Sequence, residues 1–181
     1  MAKLTFIIGG TRSGKSAFAM QIADKHQKVC YVATARSSQS AAINDDEMLQ
    51  RIRKHQENRP ADWKTLEAPL ELDKAISGLD EVYDVVLIDC ITLYVTNMFL
   101  EDFKMKEQEG NIIDAINRLC IVCKEISSHV IIVTSEVGQG VVPDNLLARR
   151  FRDIAGHVNQ LIAKKADTVF LVTAGIETKI K

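Results

Sequence analysis

Eight consecutive residues, Gly9, Gly10, Thr11, Arg12, Ser13, Gly14, Lys15 and Ser16, have the spacing G-x-x-x-x-G-K-[ST]. Glycines let a backbone turn tightly and come close to phosphate oxygens. Successive backbone N–H groups, backed by the positive end of a following helix, make a cradle for anions. In that cradle Lys15 would bridge the β- and γ-phosphates, and the Ser16 hydroxyl would ligate Mg2+. The stretch follows the apolar run Leu4–Ile8 and precedes a helical pattern from Ala17 to Lys25, the context that separates a phosphate loop from an ordinary glycine turn. Binding of a nucleoside triphosphate is therefore expected.

A metal acid belongs at the end of a second strand, and Asp89 closes the run Val85-Val86-Leu87-Ile88. There it either holds Mg2+, directly or through water, or caps the segment after Cys90. Thr34 and Glu136 end two further apolar runs and so reach the same rim, as ligand contacts or as caps. A histidine adds a different chemistry. In the segment Asn44 to Pro60, Met48, Ile52 and His55 recur at helical spacing, so His55 shares an apolar stripe and packing alone explains it. Against that, Arg51, Arg53, Lys54 and Arg59 surround it with cations suited to polyphosphate. A neutral imidazole there is able to attack an α-phosphorus and expel pyrophosphate. Arg12 and Arg149 are either phosphate contacts or surface ion pairs.

Five β-branched runs must position these residues: Leu4–Ile8, Lys28–Ala35, Tyr83–Cys90, His129–Glu136 and Thr168–Thr173. Most are continuously apolar, as parallel strands covered on both faces are. Helical patterns lie between them, around Ala17–Lys25, Asp45–Glu57, Leu70–Ser77, Asn111–Ser127 and Asn145–Lys165. The expected fold is α/β, a doubly wound, mostly parallel sheet of at least five strands with its nucleotide site at the carboxyl ends. Ser37–Asn44 and Glu101–Gly110 read as functional loops.

At 181 residues the chain is expected to form one nucleotide-binding domain, residues 1–181. Its 23 basic and 24 acidic residues give a net charge of -1, which argues against a broad nucleic-acid surface or a strand-translocating motor. Cys30, Cys90, Cys120 and Cys123 sit mostly in apolar runs and read as small core residues; Cys120-x-x-Cys123 lacks the second pair a zinc site needs. The chain enters its first strand almost at once and holds no apolar run of membrane-spanning length, so the reducing cytoplasm is the expected compartment.

Read together, these motifs resemble the bifunctional adenosylcobinamide kinase / adenosylcobinamide-phosphate guanylyltransferase family of cobalamin synthesis. The resemblance runs the length of the chain. It rests on Gly9 to Ser16, Tyr31-Val32-Ala33-Thr34-Ala35, and Asp46-Glu47-Met48 with Arg51-Ile52 and His55. It continues through Arg59-Pro60, Trp63, Glu67 and Thr96-Asn97 to Glu136-Val137-Gly138-Gln139-Gly140-Val141-Val142-Pro143. Leu147-Ala148-Arg149, Phe151-Arg152-Asp153, Asn159-Gln160 and Gly175-Ile176 complete it. Many proteins share the first motif, but few share the histidine helix and the Val-Pro to Phe-Arg-Asp run as well.

The resemblance implies a RecA-like fold and two reactions. A γ-phosphate of ATP or GTP passes to the aminopropanol hydroxyl of adenosylcobinamide. His55 then attacks the α-phosphorus of GTP, and the guanylyl group goes to adenosylcobinamide phosphate, giving adenosylcobinamide-GDP. It implies His55 as covalent nucleophile, Gly9 to Ser16 around the triphosphate, and guanine-nucleotide contacts from Ala33, Thr34, Ala35, Gln56, Glu57, Asn58, Arg59, Glu67 and Asp89. A homotrimer is also implied. Three positions depart from the pattern: Lys54 stands where some relatives carry a second histidine, His157 where arginine is common, and Ser37–Asn44 looks long. Two readings without this chemistry remain, a simple small-molecule kinase in which His55 only packs, and a regulatory nucleotide-binding module.

Overall fold

The computed structural model describes residues 3–36, 50, 53, 57, 59–101 and 108–181. Its core is a seven-stranded sheet: β1 (Leu4–Gly9), β2 (Val29–Ala33), β3 (Lys64–Glu67), β4 (Val85–Asp89), β5 (His129–Ser135), β6 (Thr168–Thr173) and β7 (Ile176–Lys179). The spatial order is β3-β2-β4-β5-β1-β6-β7, with every pair parallel except the β6–β7 hairpin. Five described helices connect or flank the strands: α1 (Lys15–Ala23), α2 (Leu72–Ser77), α3 (Ile91–Glu101), α4 (Gln108–Glu125) and α5 (Leu146–Lys165).

The two-residue period of a strand divides the apolar runs between two cores. Phe6, Val32, Val86, Ile88, Val130 and Ile132 face α2, α3, α4 and α5. Ile7, Tyr31, Val85, Leu87, Ile131 and Val133 face α1 on the other side, together with Trp63. This two-sided cover is why the strands read as unbroken apolar runs. Capping fixes the start of α5, where the Asn145 side chain accepts hydrogen bonds from the N–H groups of Leu147 and Ala148. Lys164 and Lys165 occupy its last turn, favourably placed against the helix dipole.

All five expected strands and the mostly parallel sheet are present, with differences at the margins. β3, β7 and α3 were not expected. Part of the span read as a loop, Glu101–Gly110, is helical, because α3 ends at Glu101 and α4 begins at Gln108. The buried Gln108 side chain explains the early start of α4: its amide donates to the carbonyl of Phe99, tying the two helices together. The loop Ser37–Asn44 lies outside the described residues. Cys120 and Cys123 are buried on the core face of α4.

At the amino-terminal rim of the sheet, away from the phosphate loop, His129 Nε2 lies 2.8 Å from Thr5 Oγ1. Burial first, then the nearby charges of Lys3 and His26, lowers the imidazole pKa from 6.5 to about 4. Between those values the unfolded chain binds the extra proton, so folding stability rises with pH. Stability held by the neutral ring is present above about pH 6.5 and is lost as pH falls toward about 4. The melting temperature should decline across that window, and His129→Gln should flatten the decline. An unchanged slope in the variant would assign the acid sensitivity to other groups.

Candidate active site

β1 delivers the glycine loop to the carboxyl rim, and the loop is shaped by neighbours on both sides. Gly9 pairs with Ser135 of β5 and Val172 of β6. A Cβ on Gly9 would lie 2.4 Å from the Val172 carbonyl oxygen and 2.5 Å from Ser13 Oγ, so no larger residue fits without moving the backbone. Gly14 has φ 96°, a left-handed conformation that favours glycine, and precedes the first residue of α1. Lys15 Nζ donates to the Gly10 carbonyl at 3.0 Å, which folds the ammonium back over the loop. Ser13 Oγ is buried without a hydrogen-bond partner among the described residues. An orphaned hydroxyl at the floor of an N–H cradle matches a site whose partner is a polar ligand or its water.

Two strands away, Asp89 ends β4, half-buried. Tyr31, on the neighbouring β2, donates its hydroxyl to Asp89 Oδ2 at 3.1 Å. The Arg59 guanidinium lies 3.5 Å from the centre of the same tyrosine ring, and Arg59 Nη1 donates to Thr65 Oγ1 at 2.7 Å. One buried side chain thus connects the end of β4 with Arg59. Burial, and then the Asp89 carboxylate, raises the Tyr31 pKa, so the phenol keeps its proton and remains a donor. Sequence reasoning gave Tyr31 no role. Its signals there were its place in the motif Tyr31-Val32-Ala33-Thr34-Ala35 and an aromatic hydroxyl inside an aliphatic strand.

Thr34 is fully buried, and its hydroxyl both donates to the Cys90 carbonyl and accepts from the Cys90 N–H. That hydroxyl locks the end of β2 to the chain after β4. Asn97 of α3 donates from its side-chain amide to the carbonyls of Thr34 and Pro69. Ala33 and Glu67 are paired at the ends of β2 and β3, and Ala35 follows at the same rim. On the other flank, the Glu136 N–H donates to the Gly9 carbonyl at 2.9 Å, and its carboxylate accepts from the Gly138 N–H. Arg149 donates to the carbonyls of Pro143 and Asp144, which occupies part of its guanidinium without a phosphate. Beneath this rim Thr92, Thr134 and Asn159 form a hydrogen-bonded chain that ends on Ser135.

The structure therefore brings Gly9 to Ser16 together with Glu136, and Asp89 together with Ala33, Thr34, Ala35, Arg59 and Glu67 along one rim. Arg53 and Glu57 are helical and exposed. His55, Gln56 and Asn58 lie outside the described residues, as does most of the helix expected over Asp45–Glu57. No helix among the described residues is long and apolar enough to cross a membrane.

A glycine loop between strand and helix, with a carboxylate at the end of a nearby parallel strand, defines a P-loop nucleotide-binding fold. The KaiC-like protein PH0186 from Pyrococcus horikoshii shares this architecture: its crystal structure superposes with a TM-score of 0.50, covering 93% of this chain and 70% of that one, at 14% sequence identity. Residues 5–180 match the family model for cobinamide kinase / cobinamide phosphate guanyltransferase, and the chain belongs to that family. The bifunctional adenosylcobalamin biosynthesis protein CobU of Salmonella typhimurium is 41% identical over 98% of this chain and 99% of its own length. That of Escherichia coli is 39% identical with the same coverage, and CobP of Pseudomonas aeruginosa is 37% identical over 97% of this chain and 95% of its own.

Proposed function

We propose that the chain catalyses two successive reactions on one corrinoid substrate. In the first, the aminopropanol hydroxyl oxygen of adenosylcobinamide attacks the γ-phosphorus of ATP or GTP. The bond to the bridging oxygen breaks, a nucleoside diphosphate leaves, and the hydroxyl proton is lost. In the second, the neutral His55 imidazole attacks the α-phosphorus of GTP and pyrophosphate leaves. A phosphate oxygen of adenosylcobinamide phosphate then displaces histidine from that phosphorus, giving adenosylcobinamide-GDP and free His55. The observation that carries the reading is the shaped loop Gly9–Ser16, with Lys15 folded over it, in a chain that matches this family from end to end.

The loop N–H groups and Lys15 would bind and orient the triphosphate and stabilise charge as it moves onto the leaving oxygens. Ser16 and Asp89 offer a hydroxyl and a carboxylate, an all-oxygen pair that fits Mg2+, which takes few protein ligands and keeps several waters. When bound there, Mg2+ would supply positive charge that offsets the charge developing on the transferring phosphoryl group. Ala33, Ala35, Gln56, Glu57, Asn58, Arg59, Glu67 and Asp89 would contact the guanine nucleotide, while Thr34, expected among them, is fully buried and instead holds the end of β2 to Cys90 behind that rim. Assembly as a homotrimer and residence in the cytoplasm belong to the same proposal. The four free thiols accord with a reducing compartment.

The test is to incubate the protein with Mg2+ and GTP labelled at the α-phosphate, denature it, and look for retained label. A phosphorus–nitrogen adduct is expected to be acid-labile and alkali-stable. Its formation should fade below about pH 6.5, where an ordinary imidazole takes up a proton. No label from active, folded protein would leave a simple kinase with a structural His55. Transfer of a γ-label from ATP to adenosylcobinamide checks the first reaction separately.

Tyr31→Phe isolates the contact with Asp89, since it keeps the ring against Arg59 and removes only the hydroxyl. The Mg2+ concentration for half-maximal phosphoryl transfer should rise by about tenfold, the lower end of what loss of a partner to a metal ligand costs. A magnesium dependence equal to wild type would mean that the hydroxyl serves packing alone.

A further inference from the structure

Both proposed reactions bring a corrinoid to a phosphorus held at the glycine loop, so the acceptor needs a surface beside that loop. The sheet order says where such a surface can be. β5 lies between β1 and β4, and the three strands are parallel. The chain leaving β5 therefore stands at the carboxyl rim between the phosphate loop and Asp89. The contact with the loop is direct: Glu136, the first residue past the strand, donates its N–H to the Gly9 carbonyl at 2.9 Å.

From there to α5 the chain is held by polar anchors on its backbone. The Glu136 carboxylate accepts from the Gly138 N–H, and a Cβ on Gly138 would lie 2.7 Å from Glu136 Oε1, so the close turn suits glycine. Arg152 donates to the Gly138 carbonyl, and Arg149 to the carbonyls of Pro143 and Asp144. Two arginines of α5 thus tie both ends of the loop to the helix. The large apolar side chains between and beside these anchors stand in solvent: Val141 is 96% exposed, Val142 63% and Leu146 64%. Leu147, one position further on, packs against the core instead. Eight large apolar side chains are exposed among the described residues, and three of them fall within these six positions.

Clustered exposed apolar side chains mark a contact surface, and its size separates two kinds of occupant. A stable protein interface buries roughly 800 Å2 on each partner, far more than three side chains offer. A small molecule needs no more than they offer. Of the two proposed substrates, the nucleotide is provided for by Gly9 to Ser16 and by the ends of β2 and β3. The corrinoid is the more apolar one, a macrocycle edged with methyl groups between carboxamide arms. We propose that Gly138 to Leu146 is the ledge that receives the corrinoid: Val141, Val142 and Leu146 cover part of the macrocycle and aim its aminopropanol arm at the phosphorus on the glycine loop. This rests on the two-reaction reading above and gives the acceptor its place in it. The product of the first reaction is the acceptor of the second, so one ledge serves both.

Equilibrium dialysis of the full chain against adenosylcobinamide, without nucleotide, reads the ledge directly, since the corrinoid is coloured. Val141→Ser, Val142→Ser and Leu146→Ser combined should weaken binding by about tenfold or more, the scale of lost apolar contacts. All three side chains are exposed, so the melting temperature should hold. In phosphoryl transfer the KM for adenosylcobinamide should rise by a like factor, with the KM for ATP within about twofold of wild type. Val141→Ile, Val142→Ile and Leu146→Met combined should bind the corrinoid as wild type does. Wild-type corrinoid affinity in the serine variant would overturn the proposal. If that variant also sheds subunits by light scattering while keeping its affinity, the patch is a contact between copies of this chain instead. A wild-type chain that neither binds nor phosphorylates adenosylcobinamide would remove the two-reaction reading and the ledge with it. Normal turnover by wild type beside an unaffected serine variant would remove the ledge alone.

Discussion

His55→Ala is expected to retain no α-labelled nucleotide after denaturation, with nucleotidyl transfer down by on the order of 10⁴-fold or more, as when a covalent nucleophile is deleted. The second reaction splits one difficult displacement into two, and alanine has no lone pair to begin the first. Triphosphate binding should survive, because Gly9 to Ser16 depend on β5, β6 and the β6–β7 turn for their shape. Phosphoryl transfer from ATP to adenosylcobinamide should also continue at close to its wild-type rate. This pairing of one lost reaction with one kept reaction separates a nucleophile from a packing residue. A variant that melted early and lost both would point to His55 as part of the core. Normal labelling of the variant would move the nucleophile to another residue.

Lys15→Ala should weaken both reactions. The ammonium is folded over the loop at the Gly10 carbonyl, within the cradle that would bind the phosphates. In the first reaction charge builds on the β–γ bridging oxygen, and in the second on departing pyrophosphate. A fixed cation counts most where charge develops, and removing one such group costs about 10²–10³-fold in rate. The loss should appear in kcat for each reaction as well as in KM. Lys15→Arg should recover little, since the broad guanidinium does not replace a compact ammonium in a loop this close. If both rates of Lys15→Ala stayed within a few-fold of wild type, one phosphate site shared by the two reactions would have to be abandoned.

The phosphate loop was legible because its chemistry is local: eight adjacent residues, a strand before and a helix after. The five long strands were legible because burial on both faces demands unbroken apolar runs. β3, Lys64-Thr65-Leu66-Glu67, carries one apolar residue in four and is a strand because β2 holds it at the sheet edge. β7 is exposed at every position and exists through its pairing with β6, although Ala174-Gly175 between two β-branched segments was a readable turn. In α3 the β-branched Ile91, Thr92, Val95 and Thr96 disguise a helix that is held by packing, with Ile91, Tyr94, Val95 and Phe99 buried. The Tyr31 bridge from Asp89 to Arg59 could not be read at all. It joins residues 28 to 58 apart in sequence, and only the placement of β2 beside β4 brings Tyr31 and Asp89 together.

The Gly9–Ser16 loop is the first motif a ribosome would release, yet its shape depends on residues released far later. Gly9 needs Ser135 and Val172 as strand partners, its carbonyl needs the N–H of Glu136, and the Ser13 carbonyl needs that of Gly175. A nascent chain that ends before residue 175 therefore carries the motif without the site. Nucleotide affinity should arise late and abruptly during synthesis, so that triphosphate is committed only to chains whose sheet is already closed.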